Sequence, residues 1–153
     1  MIYELKREQV LKSDLDTIWD FVSSPKNLPR ITPTYMNFNI TSKELPKKMY
    51  PGMLISYTVT PVLGIRMSWL TEITQVADKR YFVDEQRYGP YAMWHHQHFI
   101  EPHKDGVLMK DIVTYKLPLG ILGQFAHWLF VKRQLNSIFK YRFHKMEEIF
   151  NNK

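Results

Sequence analysis

The sequence predicts an α+β fold in which a curved antiparallel sheet of six or seven strands wraps around one long C-terminal helix. Three observations support this prediction. Two short helical segments follow a first strand, residues 36–117 consist of closely spaced strand patterns, and residues from 122 to 150 repeat apolar positions at helical spacing. A chain of 153 residues fits one domain, so we expect a single domain over 1–153.

The composition of the chain limits the kinds of site, location and partner to be expected. The chain has no cysteine, which excludes disulfides and thiolate metal sites. The N-terminus is charged and lacks an apolar signal segment, so a cytoplasmic location is expected. The net charge is +6, and residues 122–153 carry six basic and two acidic groups. A basic helix of this kind is either a solvated face or a surface for weak contact with an anionic membrane.

The N-terminal region predicts a strand over 2–11 and then a helix. Four apolar residues recur at the spacing of one helical face: Leu15, Ile18, Trp19 and Val22. We therefore expect Trp19 to be buried between this helix and the sheet. Ser13 is expected to cap the helix, and Asp16 to complete a capping box with it.

Prolines and glycines divide the next part of the chain. Pro25 favours the start of a second short helix, and Pro29 and Pro33 are expected to end it. Turn signals follow at 51–52, 61–64 and 105–106, and the last of these is a strong hairpin signal. The intervening segments are rich in β-branched and aromatic residues and predict strands at 53–59, 65–76, 81–86, 91–103 and 107–117. Strands this close together pair antiparallel.

The final segment changes to helical periodicity. Its apolar positions are Val131, Leu135, Ile138, Met146 and Ile149. A polar face lies opposite, with Lys132, Asn136, Lys140 and Glu147. A helix of about 25 residues is nearly 40 Å long, which is too long for two short helices to cover. We therefore expect it to lie along the concave side of the sheet.

Three segments carry a resemblance to a known family: NLPRITP at 27–33, WHHQHF at 94–99 and DIVTYKLPLG at 111–120. With the order of elements, they resemble the START/Bet v 1-like (SRPBCC) superfamily, and within it a bacterial branch of uncharacterised ligand-binding and polyketide cyclase-like proteins. The resemblance covers the whole chain and implies a helix-grip fold. It implies no single reaction, since this fold serves carriers, receptors and enzymes.

Polar groups on the two strands of the predicted hairpin share one face. Strand alternation places Trp94, His96 and His98 on the same side of the first strand. On the second strand, the face with two lysines is assigned outward. The opposite face is then directed inward and carries Asp111, Val113 and Tyr115.

A buried carboxylate at Asp111 needs a donor or a cation as its partner, and His96 or His98 would supply one. Such a group suits a structural hydrogen bond, an anchor that orients a ligand, or a general acid/base, so these three residues are the catalytic candidates. A His-x-His pair also suits a metal ion. Two histidines and one uncertain carboxylate are a poor ligand set, however, and we expect no metal and no other cofactor.

The predicted ligand-binding wall joins this polar group to strand positions on a shared face and to the apolar face of the long helix. Its further members are Tyr57, Val59, Trp69, Thr71, Leu135 and Ile138. Arg142 interrupts the apolar face of the helix. We expect its side chain either to extend to solvent or to reach an acidic ligand group or Asp111.

The leading hypothesis for function is binding, and with it transport, of a hydrophobic small molecule such as a lipid or polyketide. The alternatives are a cyclase or dehydratase that uses a His/Asp pair, and membrane-surface contact through the basic helix and the apolar segment 117–123. Nucleic acid is not expected as a partner, because the aromatic residues follow strand alternation and are not interleaved with basic groups. No phosphate-binding glycine loop, nucleophile elbow or dinucleotide fingerprint occurs, which excludes kinases, serine hydrolases and Rossmann enzymes.

Overall fold

The computed structural model describes residues 1–62 and 64–152. Within them the strands are β1 Tyr3–Leu11, β2 Asn39–Ile40, β3 Met53–Val62, β4 Ile65–Ala77, β5 Tyr81–Tyr88, β6 Met93–His103 and β7 Gly106–Lys116. They form a seven-stranded sheet in the order β1-β7-β6-β5-β4-β3-β2. All the pairings are antiparallel, which confirms the predicted sheet. The turn predicted at 61–64 includes Leu63, which lies outside the described residues.

Strand alternation decides which side chains face the interior. In β7, every second residue from Val107 to Tyr115 is buried, and the residues between them are half-buried on the other face. In β6, which pairs with β7 across the two-residue turn 104–105, His96 is buried on the same side as Asp111. The predicted phase of this hairpin is therefore confirmed.

The first helix, α1, spans Leu15–Val22 and packs on the sheet. The prediction that Ser13 caps it is wrong, because the helix begins one residue later than expected. Asp14 is the N-cap, and its side chain accepts a hydrogen bond of 2.8 Å from the Thr17 backbone N–H. Trp19 is only 2% exposed and meets Phe82 of β5 edge to face.

Two 3₁₀ helices follow α1, at Pro25–Ile31 and Thr34–Met36. Pro25 occupies the start of the first one, as predicted, but Pro29 lies inside it and does not end it. Asn27 ties the segment to α1 by donating a 2.9 Å hydrogen bond to the carbonyl oxygen of Phe21.

The C-terminal helix is continuous but changes its winding. It comprises α2 at Gly120–Ala126, a π turn at His127–Val131 and α3 at Lys132–Phe150. It therefore begins two residues before the predicted start. Pro118 and Leu119 precede it, and Leu119 has the left-handed φ of 65°. A Cβ at Gly123 would lie 2.0 Å from the carbonyl oxygen of Pro118, so this close packing of the helix on its own loop requires glycine.

The core consists of two apolar clusters between the sheet and the helices. One joins α1 to the end of α3 and includes Trp19, Met146 and Phe150. The other lies under the start of α3 and includes Leu135 and Phe139. An internal cavity lies where the two clusters meet, and residues of both line it.

Candidate functional site

The cavity has a volume of about 150 Å³ and lies between the concave face of the sheet, the first 3₁₀ helix and α3. Ten of the predicted ligand-binding residues line it: Tyr57, Trp69, Thr71, Trp94, His96, His98, Asp111, Leu135, Ile138 and Arg142. The strand residues reach it because alternation aims them at α3, and the helix residues reach it from the face of α3 that is turned to the sheet.

Three predicted wall residues do not line the cavity. Val59, Val113 and Tyr115 are buried in the second apolar cluster. They lie on the side of the sheet that alternation predicts, but the cavity does not extend to their level along the strands. The C-terminal helix covers that end of the sheet directly. Tyr115 shares a 2.8 Å hydrogen bond with Nε2 of His127, and the His127 ring stacks on Tyr3.

Several cavity residues were not predicted from the sequence. The most important is Asp84 of β5, which lies directly opposite His96 in the sheet. Its signal in the sequence is its position two residues after Phe82, on the same face of the strand predicted at 81–86. The first 3₁₀ helix also contributes to the wall, through Asn27, Leu28 and Ile31.

Asp84, His96, His98 and Asp111 form a closed group, here called the His/Asp quartet. Nε2 of His96 lies 3.0 Å from Oδ1 of Asp111, and Nε2 of His98 lies 2.7 Å from Oδ2 of Asp84. The other two ring nitrogens complete the ring of contacts. Nδ1 of His98 is 2.9 Å from Oδ1 of Asp111, and Nδ1 of His96 is 3.4 Å from Oδ2 of Asp84.

The strand register and aromatic packing hold the quartet in place. In the sheet, His96 lies opposite Asp84, and His98 lies opposite Asp111. The ring of Phe82 stacks on His98 with centroids 4.0 Å apart, and Phe139 of α3 meets His96 edge to face. Neighbouring strands and one helix therefore fix all four side chains without a contribution from a loop.

Burial and the contacts within the quartet lower the pKa of three of its members and raise the pKa of the fourth, His98. Burial acts to raise the pKa of Asp111, but hydrogen bonds from His96 and His98 outweigh burial and lower it. The pKa of Asp84 is lowered in the same way, against its burial, by the two histidines. For His98 burial acts to lower the pKa, and the two carboxylates raise it. The pKa of His96 is lowered by burial and by the charge of His98.

These shifts assign the protons. A charged imidazole has two N–H groups and a neutral one has one. When His98 is charged and His96 is neutral, three of the four ring nitrogens carry a proton. One of the four nitrogen–oxygen contacts therefore has an unprotonated nitrogen. We assign the His96 proton to Nε2, which is 3.0 Å from Asp111, and leave Nδ1, at 3.4 Å from Asp84, without one. With both carboxylates ionised, His98 charged and His96 neutral, the quartet carries a net charge of −1. The nearby guanidinium of Arg142 offsets it and helps to lower the pKa of Asp84.

Two buried N–H donors on cavity-lining residues have no partner among the described residues. They are Nε of Arg142 and Nε1 of Trp69, and both residues line the cavity. Arg142 is half-buried, its guanidinium carbon lies 5.2 Å from the centre of the Phe139 ring, and its Nε is buried. Buried polar groups normally have hydrogen-bond partners, so these two N–H groups are free for an acceptor placed in the cavity.

The same region offers donor atoms of the kinds that bind metals. Ligand atoms of Asp84, His96 and His98 lie within 4.8 Å of one another. Carboxylate oxygen and imidazole nitrogen are common zinc ligands. In the structure, however, each of these ring nitrogens already contacts a carboxylate of the quartet.

Solved structures of other proteins share this architecture. A crystal structure of a protein from Thermus thermophilus matches with a TM-score of 0.69 and 15% identity over 95% of both chains. Major latex-like protein 151 of ginseng, Panax ginseng, matches with a TM-score of 0.70 and 13% identity over 98% of both chains. The fold is the Bet v 1-like helix grip. A protein from Mycobacterium smegmatis has the same helix-grip arrangement, with a TM-score of 0.65 and 15% identity over 95% of this chain and 92% of its own.

The helix-grip similarity is one of fold alone at these identities. No family model and no curated protein matches the sequence. The bacterial branch suggested by the three sequence segments therefore stays a prediction. Among the described residues, no helix combines the length and the apolar character needed to cross a membrane.

Proposed function

We propose that this protein binds a compact, mainly apolar small molecule that carries one neutral hydrogen-bond acceptor. The observation that supports this proposal is the internal cavity, whose wall is mostly apolar and aromatic and includes a few polar side chains. Small-molecule sites typically combine such a wall with a few fixed polar groups. The His/Asp quartet, Trp69 and Arg142 are those groups here.

The volume of the cavity suits a small ligand. A dry engineered cavity of about 150 Å³ accepts a molecule such as benzene. The cavity here has a volume of about 150 Å³, which suits one or two rings or a short branched chain. Its aromatic wall includes Trp69 and Trp94, whose rings meet edge to face at 5.4 Å. A flat ligand would pack well against such rings.

The charge of the cavity favours a neutral acceptor. The unpartnered N–H groups of Trp69 and Arg142 can donate to a ligand oxygen. The charge of Arg142 is already offset by the quartet, so a ligand carboxylate would add an uncompensated buried charge. A carbonyl or ether oxygen accepts the same hydrogen bonds without that cost.

Three probe molecules of similar size test this proposal: acetophenone, ethylbenzene and benzoate, titrated by calorimetry. Acetophenone should bind at least about tenfold more tightly than ethylbenzene, because its oxygen meets donors that otherwise lack partners. Benzoate should bind more weakly than acetophenone. Arg142→Met should remove most of the preference for acetophenone, whereas Arg133→Met, at an exposed position of α3, should preserve it. Equal binding of all three probes would contradict the polar part of the proposal.

Blocking the cavity tests the proposal as a whole. Ile138 lines the cavity and is half-buried, so Ile138→Phe can fill space with little strain on the core. The matched control is Ile112→Phe, at a half-buried position on the other face of β7. Ile138→Phe should abolish probe binding in a protein that remains folded by circular dichroism. Probe binding by Ile138→Phe at the strength of the unaltered protein would show that the ligand lies elsewhere.

Acid/base catalysis in the same cavity is a second candidate function. The observation that favours it is the pair of buried histidines whose pKa values move apart, so that a neutral and a charged imidazole lie side by side at the wall. Removal of a proton next to a ligand carbonyl by His96 and protonation of its oxygen by His98, as a cyclase or dehydratase requires, would each need one carboxylate contact of that ring to open. Deuterium exchange from D₂O into the methyl group of acetophenone, followed by NMR, measures this chemistry. Exchange that is lost in His96→Gln with binding intact supports catalysis, and exchange equal to buffer alone excludes it for this ligand class.

A further inference from the structure

The C-terminal helix begins with a large apolar surface that the protein does not cover. Six apolar side chains there are between 57% and 82% exposed, and together they are called the 119–129 patch: Leu119, Ile121, Leu122, Phe125, Trp128 and Leu129. Monomeric proteins rarely expose contiguous apolar surface on this scale without a binding function. None of the six lines the cavity, so the patch is separate from the proposed ligand site.

The patch is a regular helical face. Ile121, Phe125 and Trp128 follow one another at four- and three-residue spacing and point to solvent. The opposite face is the buried one, with Gly123, His127 and Val131. A surface helix normally directs polar side chains outward. This segment therefore has an apolar outward face that packing within the chain does not explain.

The charged residues that flank the patch along the chain are all basic. From 112 to 146 the sequence contains six basic residues and no aspartate or glutamate. Four of the basic side chains flank or follow the patch in exposed positions: Lys116, Lys132, Arg133 and Lys140. Among the described residues these four form no ion pair with a carboxylate, so their charge is not neutralised within the chain.

We propose that the 119–129 patch and its flanking basic residues dock on an anionic lipid bilayer. Exposed apolar side chains enter the boundary between headgroups and acyl chains, where Trp and Phe are favoured. Lysine and arginine near the surface add attraction to anionic headgroups, about fivefold in binding for each residue. A twofold dimer through this patch would bring the basic residues of one copy against those of the other. The charge therefore favours a lipid surface over a second copy of the chain.

Vesicle co-sedimentation tests the proposal, with vesicles of phosphatidylcholine alone or with about 30 mol% phosphatidylglycerol. The protein should bind the anionic vesicles, bind neutral ones much more weakly, and dissociate as salt is raised from about 0.1 to about 0.5 M. Trp128 supplies a direct signal. It is 76% exposed, whereas Trp19, Trp69 and Trp94 are buried. Its emission should shift to the blue and become shielded from acrylamide when anionic vesicles are added.

Paired variants test whether vesicle binding depends on the patch itself and not on exposed apolar surface elsewhere or on net charge. Phe125→Gln with Trp128→Gln should weaken vesicle binding at least about tenfold, since two large side chains lose their contact with lipid. The matched control is Leu54→Gln with Tyr88→Gln, which removes two exposed apolar residues from the sheet. Lys132→Glu with Arg133→Glu should weaken binding at least about thirtyfold. Lys43→Glu with Lys47→Glu makes the same change of net charge at exposed sites far along the chain and should have little effect.

Two outcomes would overturn the proposal. One is equal binding by the patch variant and its matched control. The other is an absence of vesicle binding together with a dimer, seen by light scattering, that Phe125→Gln with Trp128→Gln converts to a monomer. The second result would assign the patch to self-association. Probe binding in the cavity should be unchanged in the patch variants, so failure here leaves the proposed ligand site untouched.

Discussion

Asp84 and Asp111 come from strands that are not neighbours, and both contact His96 and His98 on the strand between them. The two carboxylates lie on opposite sides of the histidine pair, so each imidazole is held through both of its ring nitrogens. This arrangement prevents either ring from flipping without the loss of two contacts. It also means that the proton content of the quartet, rather than side-chain movement, determines what the cavity presents to a ligand.

The first prediction is that His96 and His98 titrate on opposite sides of the ordinary histidine value of about 6.5. The pKa of His98 is raised by the two carboxylates against its burial, and the pKa of His96 is lowered by burial and by the charge of His98. NMR titration of the imidazole protons measures both. The variants His96→Gln and His98→Gln assign the two resonances, and titration of both groups above about 6.5 would contradict the proton assignment.

The second prediction concerns stability at alkaline pH. The pKa of His98 is raised in the folded protein, so its stabilising contribution is fully present below about 6.5 and is lost as the pH rises through the folded value. The free energy of unfolding in urea should therefore decrease above about pH 6.5. In His98→Gln this part of the decrease should disappear. His144→Gln, at an exposed position of α3, should retain it.

The third prediction is that Asp111→Asn destabilises the folded protein by roughly 3–5 kcal/mol. The substitution keeps the shape but leaves the buried histidine pair without one of its two carboxylates. Asp105→Asn is the control, because Asp105 lies in the turn before β7 with its side chain 62% exposed. That change should stay within about 0.5 kcal/mol. Unfolding by urea at neutral pH gives both values, and equal values would mean that the carboxylate of Asp111 contributes nothing to the fold.

The fourth prediction compares two tryptophans. Trp19 of α1 is 2% exposed, and Trp19→Ala should cost about 3–5 kcal/mol because it leaves a cavity in the core. Trp128 is 76% exposed, and Trp128→Ala should change stability by no more than about 0.5 kcal/mol. Thermal melting distinguishes the two. A melting temperature for Trp19→Ala within a degree or two of the unaltered protein would mean that α1 packs in another way.

Strand alternation is the part of the site that could be predicted from the sequence. Two outward lysines on β7 place Asp111 inward, and the alternation on β6 places His96 with it. The sheet register then makes these residues neighbours. The side of the sheet that a residue faces alternates with a period of two residues, so the sequence pattern alone determines it.

How far the cavity extends along each strand could not be predicted in the same way. Val113 and Tyr115 have the same facing as Asp111, yet the helix covers them and the cavity does not reach them. Asp84 was missed for a related reason, since its partners are set by pairing between β5 and β6 and not by spacing within β5. The helix cap is a local example. Ser13 and Asp14 are both good capping residues, and only the backbone angles at Asp14 decide between them.

The pairing of β1 with β7 affects how the chain is made. Tyr3 pairs with Tyr115, and Leu11 with Val107, so the first strand to leave the ribosome waits for its partner while about 100 further residues are added. At the usual 5–20 residues per second, this wait lasts roughly 5 to 20 seconds. During that time β1 is an open edge that could pair with another nascent chain. Its charged residues Glu4, Lys6 and Glu8 alternate along the face that becomes the outer surface, and such charges discourage edge-to-edge pairing between chains.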